Sequence, residues 1–124
     1  MSGVASLIKV GPTLIVTIPE DIGDEEAVAL QENINEQIER TNASGLLVDI
    51  TALETVDSFL GRLLNDIAVG GRLLGAETVV AGMRPAVAMT LIELGLQLKG
   101  VRTALDSERG LAMLGVDLRD RRRG

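Results

Sequence analysis

Residues 45–60 decide the fold: Gly45-Leu46-Leu47-Val48-Asp49-Ile50, then the loop Thr51-Ala52-Leu53-Glu54-Thr55-Val56-Asp57, then Ser58-Phe59-Leu60. The first stretch is apolar at nearly every position except Asp49, the mark of a central strand covered on both faces. Beyond the loop, Phe59, Leu60, Leu63, Leu64, Ile67, Ala68, Gly71 and Leu74 recur at helical spacing, and Gly75 is a natural stop. The chain therefore passes from a buried strand through an acidic loop into an amphipathic helix, a step typical of α/β proteins.

Upstream, Ser6-Leu7-Ile8-Lys9-Val10 meets Gly11-Pro12 and resumes as Thr13-Leu14-Ile15-Val16-Thr17-Ile18, which predicts a hairpin. Pro19 and Gly23 end the second run. Asp24, Glu25 and Glu26 suit the positive end of a helix in which Ala27, Leu30, Ile34 and Ile38 form one face, running to about Arg40. Downstream, Thr78-Val79-Val80-Ala81 predicts a short buried strand. Gly82-Met83-Arg84 turns into a third helix with Pro85 at its first position and Val87, Ala88, Leu91 and Ile92 on its apolar face, ending at Gly95. Gly100 to Leu105 predicts a last strand, and Asp106 or Ser107 caps a short helix through Leu114. The predicted order is β, β, α, β, α, β, α, β, α. It describes one α/β domain over residues 1–116, with a mixed sheet of about five strands, the later ones parallel, and about four helices. Residues 117–124, with Arg119, Arg121, Arg122 and Arg123, read as a flexible, solvated tail.

Composition removes whole classes of function. The 124 residues include no His, Cys, Trp or Tyr. The usual general base, the thiolate nucleophile and the thiolate metal site are therefore missing, and no catalytic residue, metal site or cofactor is assigned. With 46% hydrophobic residues and Phe59 as the lone aromatic, the core must be built from Leu, Ile, Val and Ala. A net charge of -6 and the lack of stacking rings argue against a nucleic-acid partner. No signal peptide and no apolar run of membrane-spanning length are read, so a cytoplasmic protein without a membrane partner is expected.

Two roles are open to Ser58 at the strand-to-helix junction. Its hydroxyl can cap the helix, although Asp57 would serve equally well and leave Ser58 at the first helical position. Gly61, three residues on, excludes a capping box. Alternatively the hydroxyl accepts a phosphate, which the helix N-terminus would favour and Asp57, Asp49 and Glu54 would oppose. Such a modification would reshape the surface potential of a docking face more than it would refold the domain. Asp49 invites a rival comparison with phosphoreceiver domains. Those need an acidic pair after the first strand and a lysine after the last, whereas Lys99 here precedes the last strand. Gly70, Gly71 and Gly75 form no phosphate-binding pattern; close helix packing or a loosened helix end accounts for Gly70-Gly71. Met83 and Met89 read as gap-fillers.

The ordered set Val48-Asp49-Ile50, Asp57-Ser58-Phe59 and Leu73-Leu74-Gly75-Ala76 resembles the STAS domains of anti-sigma-factor antagonists. Residues 82–95, Gly82-Met83-Arg84-Pro85-Ala86-Val87-Ala88-Met89-Thr90-Leu91-Ile92-Glu93-Leu94-Gly95, resemble more narrowly the small single-domain scaffold subunits of the stressosome. The likeness runs from the hairpin to Leu114. It implies a non-enzymatic cytoplasmic subunit of a large homo- and hetero-oligomeric complex, assembled with a longer STAS paralogue that has an N-terminal sensory domain. It further implies that a serine/threonine switch kinase is sequestered, then released when it phosphorylates the scaffold under stress, and that a phosphatase resets the system. The family's phosphoserine follows an Asp at the start of the second helix, which Ser58 matches. Asp57, Ser58, Phe59 and Asp49 would then form the partner-binding surface around it. Without a sensory domain of its own, the chain is not expected to detect the stress. A freestanding antagonist that binds one anti-sigma kinase is the alternative within the same fold.

Overall fold

The computed structural model describes residues 5–116, so the predicted tail at 117–124 lies outside the described residues. Nine elements follow in the predicted order: β1 (Ser6–Val10), β2 (Thr13–Thr17), α1 (Asp24–Thr41), β3 (Gly45–Asp49), α2 (Ser58–Leu73), β4 (Glu77–Ala81), α3 (Pro85–Glu93), β5 (Arg102–Ala104) and α4 (Ser107–Met113). The strands form one mixed sheet in sequence order, β1-β2-β3-β4-β5. β1 and β2 pair antiparallel as the hairpin, with Gly11 at φ +58° in the turn, and β2 through β5 are parallel neighbours. Parallel neighbours need crossovers, which α1, α2 and α3 supply.

β3 lies at the centre, and its run is apolar because both faces are covered. Leu46 and Val48 point to one side and Leu47 to the other, as the period of a strand requires. On the first side Leu14, Val16 and Val80 join them, and Ala27, Leu30, Ile34 and Ile38 of α1 with Leu63, Leu64 and Ile67 of α2 close the main core. Each such Leu, Ile or Val side chain contributes roughly 1.5–3 kcal/mol by leaving water. The second side is thinner: Leu47, Val79 and Ala81 are covered by Leu111 of α4. β1 is left at the sheet edge, where Ile8 remains 56% exposed.

Gly71 shows how closely α2 lies on the sheet, since a Cβ there would come within 2.5 Å of Leu46 Cδ2. Close packing is thus the reason for Gly71. Pro85 occupies the first turn of α3 as expected, and Met83 packs against the main core. Two expectations for α3 need correction. Met89 is 54% exposed and fills no gap, and Ile92 is 67% exposed, outside the buried face formed by Val87 and Leu91. The last strand is also shorter than predicted: Leu105 follows it and is 80% exposed.

Candidate functional site

The loop between β3 and α2 is built to hold its end still. Leu53 is fully buried and its N–H bonds Ile50 O at 3.0 Å, while Val56 packs against the main core. These two apolar pins leave Glu54, Thr55 and Asp57 exposed between and beyond them. At the helix start, Asp57 is the N-cap: its backbone is extended, with φ -84° and ψ 178°, and its Oδ1 accepts the Leu60 N–H at 2.8 Å. Its carbonyl accepts Gly61 N–H at 2.9 Å, the first intrahelical bond.

Asp57 and not Ser58 therefore satisfies the helix end. Ser58 sits at the first helical position, exposed, and its hydroxyl has no hydrogen-bond partner among the described residues. The Ser58 and Phe59 N–H groups belong to the first turn, where a helix offers no internal acceptor. Phe59 follows at 42% exposure, an apolar surface beside the hydroxyl. An uncommitted nucleophilic oxygen, two outward N–H groups and an exposed ring thus share one rigid corner.

Asp49 is placed differently from the other three residues singled out. It ends β3 half-buried, and its Oδ1 accepts both the Thr51 N–H at 2.9 Å and the Thr51 hydroxyl at 2.6 Å. Its Oδ2 accepts the Ser107 hydroxyl, at 2.5 Å, from the start of α4. Burial pushes its pKa up, but the hydrogen bonds from Ser107 and Thr51 outweigh that and hold it below the ordinary carboxylate value. Its acceptors are thus spent inside the molecule. Thr51 in turn offers its carbonyl to Arg84 Nε at 2.8 Å, and Gly82, at φ +78°, lies so close that a Cβ would sit 2.0 Å from Thr51 Oγ1. From behind the exposed corner Asp49 ties the end of β3 to the start of α4, and Thr51, which it holds, ties the same place to Arg84 at the start of α3.

The sequence reading missed Thr51 and Arg84, and it offered Ser107 only as a cap for the last helix, a place that Asp106 takes while Ser107 bonds Asp49. Ser107 is 58 positions from Asp49 and Arg84 is 33 from Thr51, separations that no local pattern reports. Among the described residues no group of three or more carboxylates is gathered closely enough to hold a metal ion, and no helix is long and apolar enough to cross a membrane.

The sequence model of the STAS domain family matches residues 5–108. Among solved structures, RsbS of Moorella thermoacetica in an S58E form is 39% identical, covers 90% of this chain and 94% of that one, and superposes with a TM-score of 0.81. A chain from the structure described as the molecular architecture of the stressosome, a signal integration and transduction hub, is 40% identical over 89% of this chain and 96% of that one, with a TM-score of 0.79. Among curated proteins, the RsbT co-antagonist proteins RsbRD and RsbRA of Bacillus subtilis (strain 168) are 28% identical over 106 residues and 30% identical over 105. Those matches take in 86% and 76% of this chain but 38% of each relative, so the chain spans well under half their length. The unphosphorylated anti-sigma factor antagonist SpoIIAA, 15% identical with a TM-score of 0.70 over 91% of this chain and 98% of that one, shares the fold.

Proposed function

This chain belongs to the STAS domain family, and we propose that within it the chain is a non-enzymatic stressosome scaffold subunit that holds a serine/threonine switch kinase and releases it on phosphorylation of Ser58. The observation that carries this reading is the free Ser58 hydroxyl, exposed at the first position of α2 because Asp57 has taken over the cap. The similarity to RsbS and to a stressosome chain supports the choice of assembly, and the co-antagonist relatives support a longer paralogue as co-subunit. The Moorella RsbS carries an acidic residue in place of a serine, an exchange that adds negative charge as a phosphate would.

Physically, the switch is a change of charge on a surface that does not move. Phosphorylation places nearly two negative charges on Ser58. The outward N–H groups and the dipole of α2 stabilise them locally, and Asp57 and Glu54 repel them. The capped helix and the pinned loop oppose rearrangement, so the charge is felt by whatever docks on Phe59 and its surroundings. A partner that buries this corner against its own acidic or apolar groups loses affinity. A phosphatase that removes the group restores the original surface. The cytoplasm is the expected compartment for all of these partners.

The kinase with ATP should add one phosphate per chain, at Ser58 by mass spectrometry. Equal labelling of a Ser58→Ala protein would sink the proposal. Ser58→Asp should weaken capture of the kinase in a pull-down while its circular dichroism stays that of the parent. Mass measurement of the chain mixed with a longer paralogue then separates scaffold from freestanding antagonist: a large mixed complex supports the first, an unaltered monomer or dimer the second.

A further inference from the structure

Strands β2 to β5 run in one direction, so the helix starts that follow them share one end of the domain and the returns into the strands share the other. The first end carries Ser58 and an excess of exposed acid, including Glu20, Asp24, Glu25, Glu26, Glu54 and Asp57. Of the cations near it among the described residues, Arg109 is paired with Asp106 at 2.6 Å, whereas Arg84, which donates to the neutral Thr51 O at 2.8 Å, and Arg62, one turn into α2, are too few to balance that acid.

The opposite end holds a polar cleft of about 360 Å³ between the last turn of α2 and the starts of β4 and β5. Ser44, Arg72, Gly75, Glu77, Gly100 and Arg102 line it. Gly75 and Gly100 turn the chain at its wall with φ of +98° and +76°, and a Cβ on Gly100 would meet only the Arg72 side chain, at 3.4 Å. Arg102 is fixed at the rim by Glu77 and by Met113 O. The Arg72 guanidinium, by contrast, has no hydrogen-bond or ion-pair partner among the described residues.

Charge selects the class of ligand. Two guanidiniums against one carboxylate leave a single net positive charge on the lining, and the negative end of the α2 dipole, roughly half a charge, lies beside it. A dianionic phosphate would be under-neutralised there. A single carboxylate comes nearer to balance than a dianion does, and it suits the planar fork of a free arginine.

We propose that this cleft receives a carboxylate from the acidic end of a second copy of the chain, so that copies associate head to tail. A second copy is the occupant because the acid-rich end and the arginine cleft belong to one molecule, face opposite ways and complement each other in charge. The two surfaces differ, so the contact is heterologous and builds a ring or an open array instead of a closed two-fold pair. It rests on the scaffold reading only in that a scaffold subunit meets copies of itself. Labelling of Ser58 by kinase and ATP does not depend on this contact, so either idea can fail alone.

Sedimentation of the chain at low and high salt tests it, with Arg72→Glu and Arg62→Glu compared. Both variants have the same net charge and reverse one arginine, but at opposite ends. Expected is salt-sensitive self-association that falls on the order of tenfold in Arg72→Glu and is kept or strengthened in Arg62→Glu. The Gly75 and Gly100 amides should shift with protein concentration in NMR spectra of the parent. Should Arg72→Glu fail to fold by circular dichroism, Arg72→Gln against Arg62→Gln carries the same comparison. A parent that stays monomeric, equal weakening by both variants, or unmoved Gly75 and Gly100 amides would each overturn the proposal. So would amide shifts with free acetate but none with concentration, which would make the cleft a small-acid site.

Discussion

At Asp57 and Ser58 two adjacent side chains divide work that either could do, and substitution can tell them apart. Asp57→Ala removes the acceptor of the Leu60 N–H and is expected to cost about 1 kcal/mol in urea denaturation. Ser58→Ala removes a hydroxyl without hydrogen-bond partners among the described residues and should stay within about 0.5 kcal/mol of the parent. If the order of those costs were reversed, the cap would have been assigned to the wrong residue. Asp49 carries the pH prediction. Its folded pKa lies below its unfolded value, so its ionised form stabilises the fold above the unfolded carboxylate range, near pH 4, and that contribution is lost as pH falls through the folded pKa. Stability should therefore drop less steeply on acidification in Asp49→Asn than in the parent, from urea midpoints between about pH 6 and pH 3. Parallel profiles would mean that Ser107 and Thr51 do not favour the charged form.

At the scale of elements, the paired glycines of α2 offer a contrast within one turn. A Cβ at Gly71 would strike Leu46 Cδ2 at 2.5 Å and meet Thr78 Oγ1 at 3.1 Å, so Gly71→Ala is expected to destabilise by about 1–3 kcal/mol despite alanine's better helix propensity. A Cβ at Gly70 meets only Asn35 Oδ1, at 3.9 Å, so Gly70→Ala should gain about 0.5–1 kcal/mol. Thermal denaturation of the two variants decides it, and a stabilised Gly71→Ala would contradict the packing described. Elements with strong periodicity could be read from the sequence alone. α1 spaces Ala27, Leu30, Ile34 and Ile38 along one stripe, and β3 is apolar on both faces because it is central. α3 could not be read to that depth. It is nine residues long and apolar nearly all round, so periodicity cannot say that Val87 and Leu91 turn inward while Met89 and Ile92 face out. The site divides in the same way. Asp57-Ser58-Phe59 is contiguous and its helix start has a local signature, whereas the Asp49–Ser107 and Thr51–Arg84 links exist only after β3, β4 and β5 align.

Across the whole molecule, the two faces of the sheet are unequally protected. Three helices cover one side, and the seven-residue α4 covers the other through Leu111, the close approach of Gly110 to Leu47, and the Ser107–Asp49 bond. A short helix with few buried side chains opens at lower free energy than a core strand. Hydrogen exchange should accordingly show β3 and β4 amides exchanging only through global unfolding, while the Gly110 and Leu111 amides exchange through a smaller opening. Ser107→Ala removes a bond to a charged acceptor, worth roughly 1.5 kcal/mol, so α4 amides should exchange about tenfold faster. The β3 amides shift only with global stability. The mobile part of the domain would then be α4, while the Ser58 corner keeps its cap and its apolar pins. That separation is what a charge switch on a fixed surface requires, because a corner that melted on modification would release its partner by unfolding. If the Ser58–Gly61 amides in Ser58→Asp lost protection relative to the parent, the fixed-surface mechanism would have to be replaced by local unfolding of the α2 start.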